Sequence, residues 1–386
     1  MGQPPTGRAP ASPAGARLMA LAFFPKPISE LPWRMLIPVI GIGAFSLLVL
    51  YSAAGGDLRY AKPQGIRFAI FFCLAIALSR IRPEWLKQAT FPAYVIILLL
   101  LMIVEALGFV GGGAQRWISL GFINLQPSEL MKPVIVLACA YFYSMLPARE
   151  IRGWSAVWPA ALLIGVPFLF ILIQPDLGTA MMVFFGGITV MFLAGVPMWM
   201  FGAGLGAVAV LGPIAFSFLH DYQRQRLLIF MDPESDPLGA GYHITQSKIA
   251  IGSGGLFGNG YLKGTQSHFA FLPEPHTDFI FATMSEEWGL AGGLFLIVAF
   301  MLILRWGMKV SMEANDRFSR LTAGGLTTTI FFYVAINLMM VMGLAPVVGI
   351  PLPLFSYGGS AMMTIMICLG ILMSIERASR REERRL

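Results

Sequence analysis

The sequence predicts an all-α, polytopic membrane protein, and three observations support this fold class. Of the 386 residues, 57% are hydrophobic and only 12% are charged, half of the ~25% found in an ordinary soluble domain. The apolar residues are gathered in runs of roughly 20, which is the length of helix that crosses a bilayer. Lys and Arg are concentrated in alternate connections between these runs. Together these features exclude a soluble globular enzyme, a disordered chain and a fibrous protein.

The apolar runs predict about ten transmembrane helices, separated by charged residues or by Pro and Gly. A longer connection, residues 220–279, lies between the seventh and eighth helices and holds all four histidines. A polar connection of this length indicates a functional outer loop rather than a plain linker. The predicted spans are 35–53, 66–81, 91–110, 127–146, 155–173, 177–196, 199–219, 283–304, 321–343 and 353–375.

The positive charges predict the orientation of these spans. With both termini in the cytoplasm, the inner segments hold 18 of the 27 basic residues, as the positive-inside rule requires. We therefore expect a cytoplasmic tail over 1–32, a transmembrane domain over 33–376 and a basic cytoplasmic tail over 377–386. The net charge of +7 is then matched to anionic lipid at the inner leaflet, and no nucleic-acid partner is expected.

The long outer loop closes with a candidate catalytic carboxylate. Asp278 is the last acidic residue before the eighth predicted span. A carboxylate at the outer mouth of a span is partly desolvated, which raises its pKa and makes it a usable base. A helix-capping role for the same carboxylate stays open. The spacing of the four histidines matches no local pair of metal ligands, so no metal site is predicted.

Two charged residues lie within the fourth predicted span, where ionisable groups are costly. Glu129 and Lys132 are three residues apart, so they share one helix face and can pair. Two interpretations remain open: a structural ion pair that steadies the bundle, or a pair that lines a polar cavity and positions a functional group.

Three arginines are candidate ligands for an anion. Arg116 lies beside Trp117 in a glycine-rich outer connection, and Arg224 and Arg226 lie near the start of the long loop. Because arginine binds phosphate oxygens in a bidentate manner, these residues could hold a phosphate or pyrophosphate. Interfacial anchoring for Arg116, and a solvated charge cluster for the other two, stay open as alternatives.

Three further stretches predict local structure. Asp176 is expected to cap the sixth span. Residues 246–260 (QSKIAIGSGGLFGNG) match no phosphate-loop pattern and predict an amphipathic helix followed by a tight turn. Prolines and a Gly pair within 349–360 interrupt the start of the tenth span, and such broken backbone must be buried or line a cavity.

Five stretches, in order along the chain, form a family signature: GAQRW at 113–117, QPSELMK at 126–132, QPDLGTA at 174–180, LPEPHTDFIF at 272–281 and PLPLFSYGGS at 351–360. This set resembles the SEDS family, the shape, elongation, division and sporulation proteins of bacterial cell-wall synthesis. The resemblance covers about residues 33–376 and includes the ten-span layout and the large outer loop. GTQ at 264–266 is more similar to the rod-shape branch of the family than to its division branch.

The resemblance implies a peptidoglycan glycosyltransferase that polymerises lipid II into glycan strands, with inversion of the anomeric centre. The reaction would take place at the outer face of the bacterial inner membrane, for cell elongation and rod shape. The family's essential aspartate falls on Asp278, which would take the proton from the acceptor sugar. Glu129 and Lys132 match the family's charged residues in the fourth span and would form the charged floor of the cavity. The three arginines would stabilise the leaving pyrophosphate, and assistance by a divalent cation stays open.

The resemblance also implies partners: a class B penicillin-binding protein, which is a transpeptidase, together with MreC, MreD and an actin-like filament. Glu286 and Glu287, near the top of the eighth span, are expected to fix the outer loop.

Two other functions stay open, a lipid II flippase and a non-catalytic scaffold of the wall-synthesis complex. A flippase needs a continuous polar path across the bilayer, whereas the polar features here cluster toward the outer half. The polymerase is therefore the favoured hypothesis.

Overall fold

The computed structural model describes residues 31–107, 109–111, 114–119, 124–217, 240–268, 271–272, 274–345 and 347–383. The chain divides into two units, Met1–Trp33 and Arg34–Leu386. Apart from Trp33, the first residue of α1, the helices and sites below belong to the second. Of the predicted tail over 1–32, all but the last two residues lie outside the described residues.

Helices dominate the described part of the chain. Two of them lie within the long loop between the seventh and eighth predicted spans. In chain order the helices are α1 Trp33–Ala53, α2 Ala61–Leu78, α3 Pro83–Leu107, α4 Pro127–Met145, α5 Trp154–Ile173, α6 Leu177–Ala194, α7 Met198–Ser217, α8 Ala240–Ser253, α9 Thr265–His268, α10 Ile280–Glu313, α11 Arg317–Val341 and α12 Gly359–Glu383.

The predicted all-α, multi-pass fold is confirmed. Among the described helices, eight are long and apolar enough to cross a membrane. The two predicted spans outside this group are α4 and α7. α4 opens on a polar first turn with Glu129 and Lys132, which lowers its apolar content. α7 is described to Ser217, and its 20 residues have the length that a span needs.

A small antiparallel sheet between α3 and α4 was not predicted. Strand β1 (Phe109–Gly111) pairs with β2 (Ala114–Ser119), and β2 pairs with β3 (Asn124–Leu125). Phe109 lies opposite Trp117, and Ile118 lies opposite Leu125. The last strand ends two residues before α4 begins.

α4 lies at the centre of the bundle, where it packs against α3, α6 and α11. Small residues permit this close packing. A Cβ on Gly325 of α11 would lie 2.6 Å from a methyl carbon of Val136, and one on Gly187 of α6 would lie 2.4 Å from Ile164 of α5. Substitution by any larger residue would therefore force these helices apart.

The glycine-rich segment after α8 inserts into a break in α10. At Gly289 the backbone of α10 leaves the helical conformation, with φ 61° and ψ −155°, and the N–H groups of the next two residues lose their helical acceptors. The carbonyls of Gly255 and Leu256 accept those two N–H groups, at 2.9 and 3.1 Å, and the freed carbonyls of Glu286 and Glu287 accept from residues 259 and 260, at 2.9 and 3.1 Å. The glycines therefore allow the backbone of this segment to approach and bond to the backbone of α10.

The predicted amphipathic helix in the long loop is present, although it begins earlier than expected, at Ala240. It buries residues at helical spacing, Ile244, Ser247 and Ala250, and packs against α10 and α11. Ser247 Oγ donates to the carbonyl of Val341, at 2.7 Å. This end of the long loop is thus tied to the helix that precedes the last outer connection.

The interrupted backbone before α12 is buried, as predicted. Leu352 and Phe355 are almost fully buried. Polar side chains of α1 and α2 satisfy the loop carbonyls: Ser46 Oγ donates to Phe355 at 2.6 Å, and Gln64 Nε2 donates to Ser356 at 2.8 Å. The loop is therefore held inside the helix bundle by α1 and α2.

Candidate active site

Asp278 lies in the turn that leads into α10, at the closing end of the long loop. The N-cap residue of α10 is Phe279, and its side chain makes no capping bond. The capping role that the sequence left open for Asp278 is therefore not observed, because Asp278 precedes the N-cap residue. Among the described residues, no N–H or O–H group donates to its carboxylate. The carboxylate is therefore available to accept a proton from a substrate.

The environment of Asp278 raises its pKa from an ordinary value near 3.8 to about 7. Burial is the main cause, because desolvation disfavours the charged form. The negative charge of Glu274 adds to the effect. A carboxylate with a pKa near neutrality can both accept and release a proton at physiological pH, which suits a general base.

Asn337 of α11 fixes the backbone at Asp278. Its Nδ2 donates to the carbonyl of Asp278 at 3.0 Å and to the carbonyl of Ile350 at 2.7 Å, and the side chain is 0% exposed. Gly349, which precedes Ile350, has φ +66°, and a Cβ there would lie 3.6 Å from Asp278 Oδ2. One amide thus joins the turn that carries the candidate base to the loop that faces it.

The predicted pairing of Glu129 and Lys132 is present. Lys132 Nζ lies 2.5 Å from Glu129 Oε1, and the two residues are 1% and 5% exposed respectively. Tyr333 of α11 completes the group: Lys132 Nζ lies 2.7 Å from its hydroxyl, which donates to Glu129 Oε2 at 2.5 Å. The two charges are therefore satisfied within the bundle, as a buried pair must be.

One face of α11 joins this buried group to Asp278. Tyr333 and Asn337 are four residues apart, so they are neighbours on one helix face, one turn from each other. Tyr333 contacts the Glu129–Lys132 pair, and Asn337 contacts the backbone of Asp278. The charged pair lies one turn further from the outer loop than Asp278. Its predicted role as the floor of a substrate cavity stays a prediction.

Three of the signature stretches meet at the N-terminal ends of α4 and α6. Gln126 Nε2 donates to Asp176 Oδ2 at 2.9 Å, and Asp176 Oδ1 accepts from the N–H of Thr179 at 3.1 Å, which confirms the predicted cap of α6. Arg116 Nε donates to the carbonyl of Gln174 at 2.8 Å, and its Nη2 donates to that of Pro175. Arg116 is thus bound to the turn before α6, so part of its donor set is already engaged.

The other predicted site residues are placed as follows. Arg224 and Arg226 lie outside the described residues. Glu286 performs the predicted support role: its carboxylate accepts from the N–H of Thr265 at 2.6 Å and from that of Gln266 at 2.9 Å. Within the described part of the chain, no group of three or more His, Cys, Asp and Glu side chains is close enough to hold a metal ion.

A row of aromatic rings lies beside Asp278, which the sequence did not suggest. The imidazole of His276 stacks on Tyr60, with ring centroids 4.0 Å apart and planes 10° apart, and lies 6.0 Å from the ring of Tyr357. Burial lowers the pKa of His276, which favours the neutral imidazole. We call Tyr60, His276 and Tyr357 the outer aromatic cluster.

The sequence missed Tyr333, Asn337 and the outer aromatic cluster for different reasons. Tyr333 and Asn337 could have been found, because two hydrogen-bonding residues four apart in an apolar span indicate a polar stripe. Tyr60, His276 and Tyr357 come from three distant parts of the chain, and no local pattern relates them.

Comparison with known proteins supports this assignment of the fold. The model of the cell cycle protein family FtsW/RodA/SpoVE matches residues 31–381. The Escherichia coli K12 protein named peptidoglycan glycosyltransferase MrdB is 44% identical over 345 residues, which cover 88% of this chain and 92% of that protein. The Treponema pallidum protein named peptidoglycan glycosyltransferase RodA is 30% identical over an alignment of 425 positions, which covers 90% of this chain and 98% of that protein.

Two solved structures are also similar. The crystal structure of Thermus thermophilus rod shape determining protein RodA matches with a TM-score of 0.67 at 29% identity and covers 90% of this chain and 97% of that chain. The second is a chain from a structure on the coordination of polymerization and crosslinking by a peptidoglycan synthase complex. It matches with a TM-score of 0.79 at 32% identity. That match covers 90% of this chain and 98% of the other.

Proposed function

This chain belongs to the FtsW/RodA/SpoVE family of cell cycle proteins, and we propose that it is a peptidoglycan glycosyltransferase of the rod-shape type. Its substrate is lipid II, and its product is a glycan strand made at the outer face of the inner membrane. The names of its relatives support the activity. The position and environment of Asp278 support the mechanism.

Asp278 is the general base of the proposed reaction. Its carboxylate takes the proton from the acceptor sugar hydroxyl while the hydroxyl oxygen attacks the donor C1. The new C1–O bond forms as the bond from C1 to the pyrophosphate breaks, so the anomeric centre is inverted and the pyrophosphate leaves with the electron pair. A pKa of about 7 keeps a useful fraction of the carboxylate ionised at neutral pH, which general-base catalysis requires.

The remaining predicted site residues support that step. Arg116, Arg224 and Arg226 are proposed to stabilise the charge that grows on the leaving pyrophosphate. Glu129 and Lys132 are proposed to form the charged floor one turn below Asp278, held by Tyr333. Asn337 is a positioning residue, because it acts through the backbone that carries the base.

We also propose that the protein works with a class B penicillin-binding protein. The similarity to a chain from a peptidoglycan synthase complex that couples polymerization and crosslinking supports this partner. MreC, MreD and an actin-like filament are further proposed partners. Both termini are proposed to be cytoplasmic, which orients the long loop and Asp278 outward.

Lipid II polymerisation by the purified protein, with and without its transpeptidase partner, tests the proposal. Asp278→Asn should abolish polymerisation, because the amide cannot accept the proton. Glu313→Gln is the matched control: it removes one carboxylate charge at the opposite end of α10, where Glu313 pairs with Lys309 on the surface, and should retain activity. Chelation with EDTA in the same assay tests the divalent cation that the sequence left open.

Polymerisation at the normal rate by Asp278→Asn would contradict the mechanism. Transbilayer movement of labelled lipid II in liposomes, without polymerisation, would favour a flippase. Rescue of cell shape by the Asp278→Asn variant would favour a non-catalytic scaffold.

A further inference from the structure

Two arginines lie at the ends of the outer aromatic cluster. The guanidinium carbon of Arg59 is 4.9 Å from the ring centroid of Tyr60, and that of Arg67 is 4.9 Å from the ring centroid of Tyr357. Both arginines come from the connection into α2 and its first turns. The two tyrosine rings are themselves in contact, with centroids 5.2 Å apart. The cations are thus positioned by aromatic rings rather than by carboxylates.

Among the described residues, neither guanidinium group donates a hydrogen bond. A guanidinium group that lies over an aromatic ring can still bind oxygen atoms through its N–H groups. Among the described side chains, neither Arg59 nor Arg67 forms an ion pair. Arg59 is exposed and Arg67 is half-buried. Two oriented cations without acidic partners indicate a site for an anion.

The same cluster is attached directly to the loop that carries the candidate base. His276 is two residues before Asp278, and its carbonyl accepts from the N–H of Tyr357 at 2.9 Å. Arg59 also acts electrostatically on His276. A Cβ on Gly359 would lie 3.5 Å from Arg67 Nε, so the guanidinium rests against the first residue of α12. An anion held by these arginines would therefore lie beside the catalytic turn.

We propose that Arg59 and Arg67 form a phosphate-binding site for the diphosphate of a lipid-linked sugar, with the outer aromatic cluster holding both guanidinium groups in place. This inference rests on the proposed function, because it assigns a substrate contact to the same site. The site is additional to Arg116, two of whose donors already bind the turn before α6. A diphosphate offers several oxygens to two bidentate guanidinium groups.

Steady-state polymerisation kinetics test the site. Arg59→Gln and Arg67→Gln should each raise KM for lipid II about tenfold or more, since a hydrogen bond to a charged group is lost, while kcat falls less than about threefold. Arg59→Lys and Arg67→Lys keep the charge and should lie between the wild type and the Gln variants. Lys62→Gln is the matched control, because Lys62 is an exposed cation of the same helix that stacks on no ring, and it should leave both parameters unchanged.

Binding measurements separate the two sources of phosphate. Intrinsic fluorescence titration in detergent micelles uses undecaprenyl diphosphate as one probe and phosphatidylglycerol as the other. We expect undecaprenyl diphosphate to bind the wild type at least tenfold more tightly than the Arg59→Gln, Arg67→Gln double variant. We expect no such difference for phosphatidylglycerol.

Three results would overturn the inference. A phosphatidylglycerol titration that depends on the arginines as strongly as the diphosphate titration would assign the site to a membrane lipid headgroup. Unchanged KM and unchanged binding in the double variant would make the cluster purely structural. Equal losses in the Lys and Gln variants, together with a lowered melting temperature, would also assign it to folding. If the wild type binds the diphosphate through these arginines but does not polymerise lipid II, the proposed function fails and the binding site stands.

Discussion

Replacing Asn337 with leucine should uncouple Asp278 from the rest of the site without removing a catalytic group. Leucine keeps the volume of the buried side chain, but it cannot donate to the carbonyls of Asp278 and Ile350. The helix bundle should still form, because α11 keeps its packing on α4, α6 and α10. The turn before α10 and the loop before α12 would lose the amide that joins them.

The expected magnitude follows from the two lost hydrogen bonds. A buried acceptor left without a donor costs about 1–3 kcal/mol, so two carbonyls cost about 2–4 kcal/mol when the loop relaxes enough to admit some water. We expect the melting temperature in detergent to fall by ~5 °C. A displacement of the catalytic carboxylate by about 1 Å costs ~100-fold in rate. The variant should therefore lose about two orders of magnitude in kcat, with little change in KM for lipid II.

Polymerisation kinetics and thermal unfolding of the same preparation provide the assay. Thr329→Val is the matched control: its hydroxyl, on the same helix, bonds to the carbonyl of Gly325 within α11 at 2.9 Å and reaches no loop. The control should keep kcat. Wild-type kcat in Asn337→Leu would refute the reasoning, since the turn would then be held in place without the amide. A fall in kcat that is matched by Thr329→Val would show that any lost polar group in α11 has this effect.

Four further predictions concern the same region. Glu274→Gln removes a charge that raises the pKa of Asp278, so the rising limb of the pH–rate profile should move below pH 7; an unmoved limb would contradict this. A carboxyl whose pKa is raised on folding destabilises the folded state as pH rises from its unfolded pKa near 3.8 to about 7. The difference in melting temperature between Asp278→Asn and the wild type should therefore increase, in favour of the variant, from about pH 3.8 to about pH 7 and remain constant above that. Lys132→Met should destabilise the protein by about 3–5 kcal/mol because it leaves Glu129 buried and uncompensated, and adding Glu129→Gln should recover part of this in thermal unfolding; a double variant no more stable than the single one would contradict the coupling. Gly349→Ala should cost about 1–2 kcal/mol from its positive φ and lower kcat by crowding Asp278, whereas retained kcat would mean that the loop yields.

Much of the fold and part of the site could be predicted because charged residues are rare in this sequence and are easily distinguished from the apolar runs. In a chain with so few charges, Glu129, Lys132 and Asp278 stand out against apolar neighbours, and their placement in or beside a span already implies a purpose. Asp176 was predictable as a cap because the acidic residue directly precedes an apolar run. Charges and caps are local signals, which a single sequence carries.

The residues that were missed depend on distance in the fold. Asn337 is visible in the sequence as a polar residue in an apolar span, but its partners, the carbonyls of Asp278 and Ile350, are known only from the fold. Tyr60 gains its importance only when it stacks on His276. Arg116 was predicted as an anion ligand from its neighbours in sequence, but the turn before α6 takes up two of its donors. The glycines at 254–260 suggested a turn, while their backbone contacts with α10 required the tertiary structure. Tertiary contacts of this kind leave no periodic pattern.

The break in α10 has a mechanical consequence. Because the helical hydrogen bonds of α10 are interrupted at Gly289, the segments 280–288 and 290–313 are two separate helical segments. The segment 255–260 bridges them, with its carbonyls bonded to one helical segment and its N–H groups to the other. Asp278 lies just before the shorter segment, where Asn337 holds its backbone. A displacement of the segment 255–260 would therefore act at the break in α10, and it would change the direction of the short segment that follows Asp278.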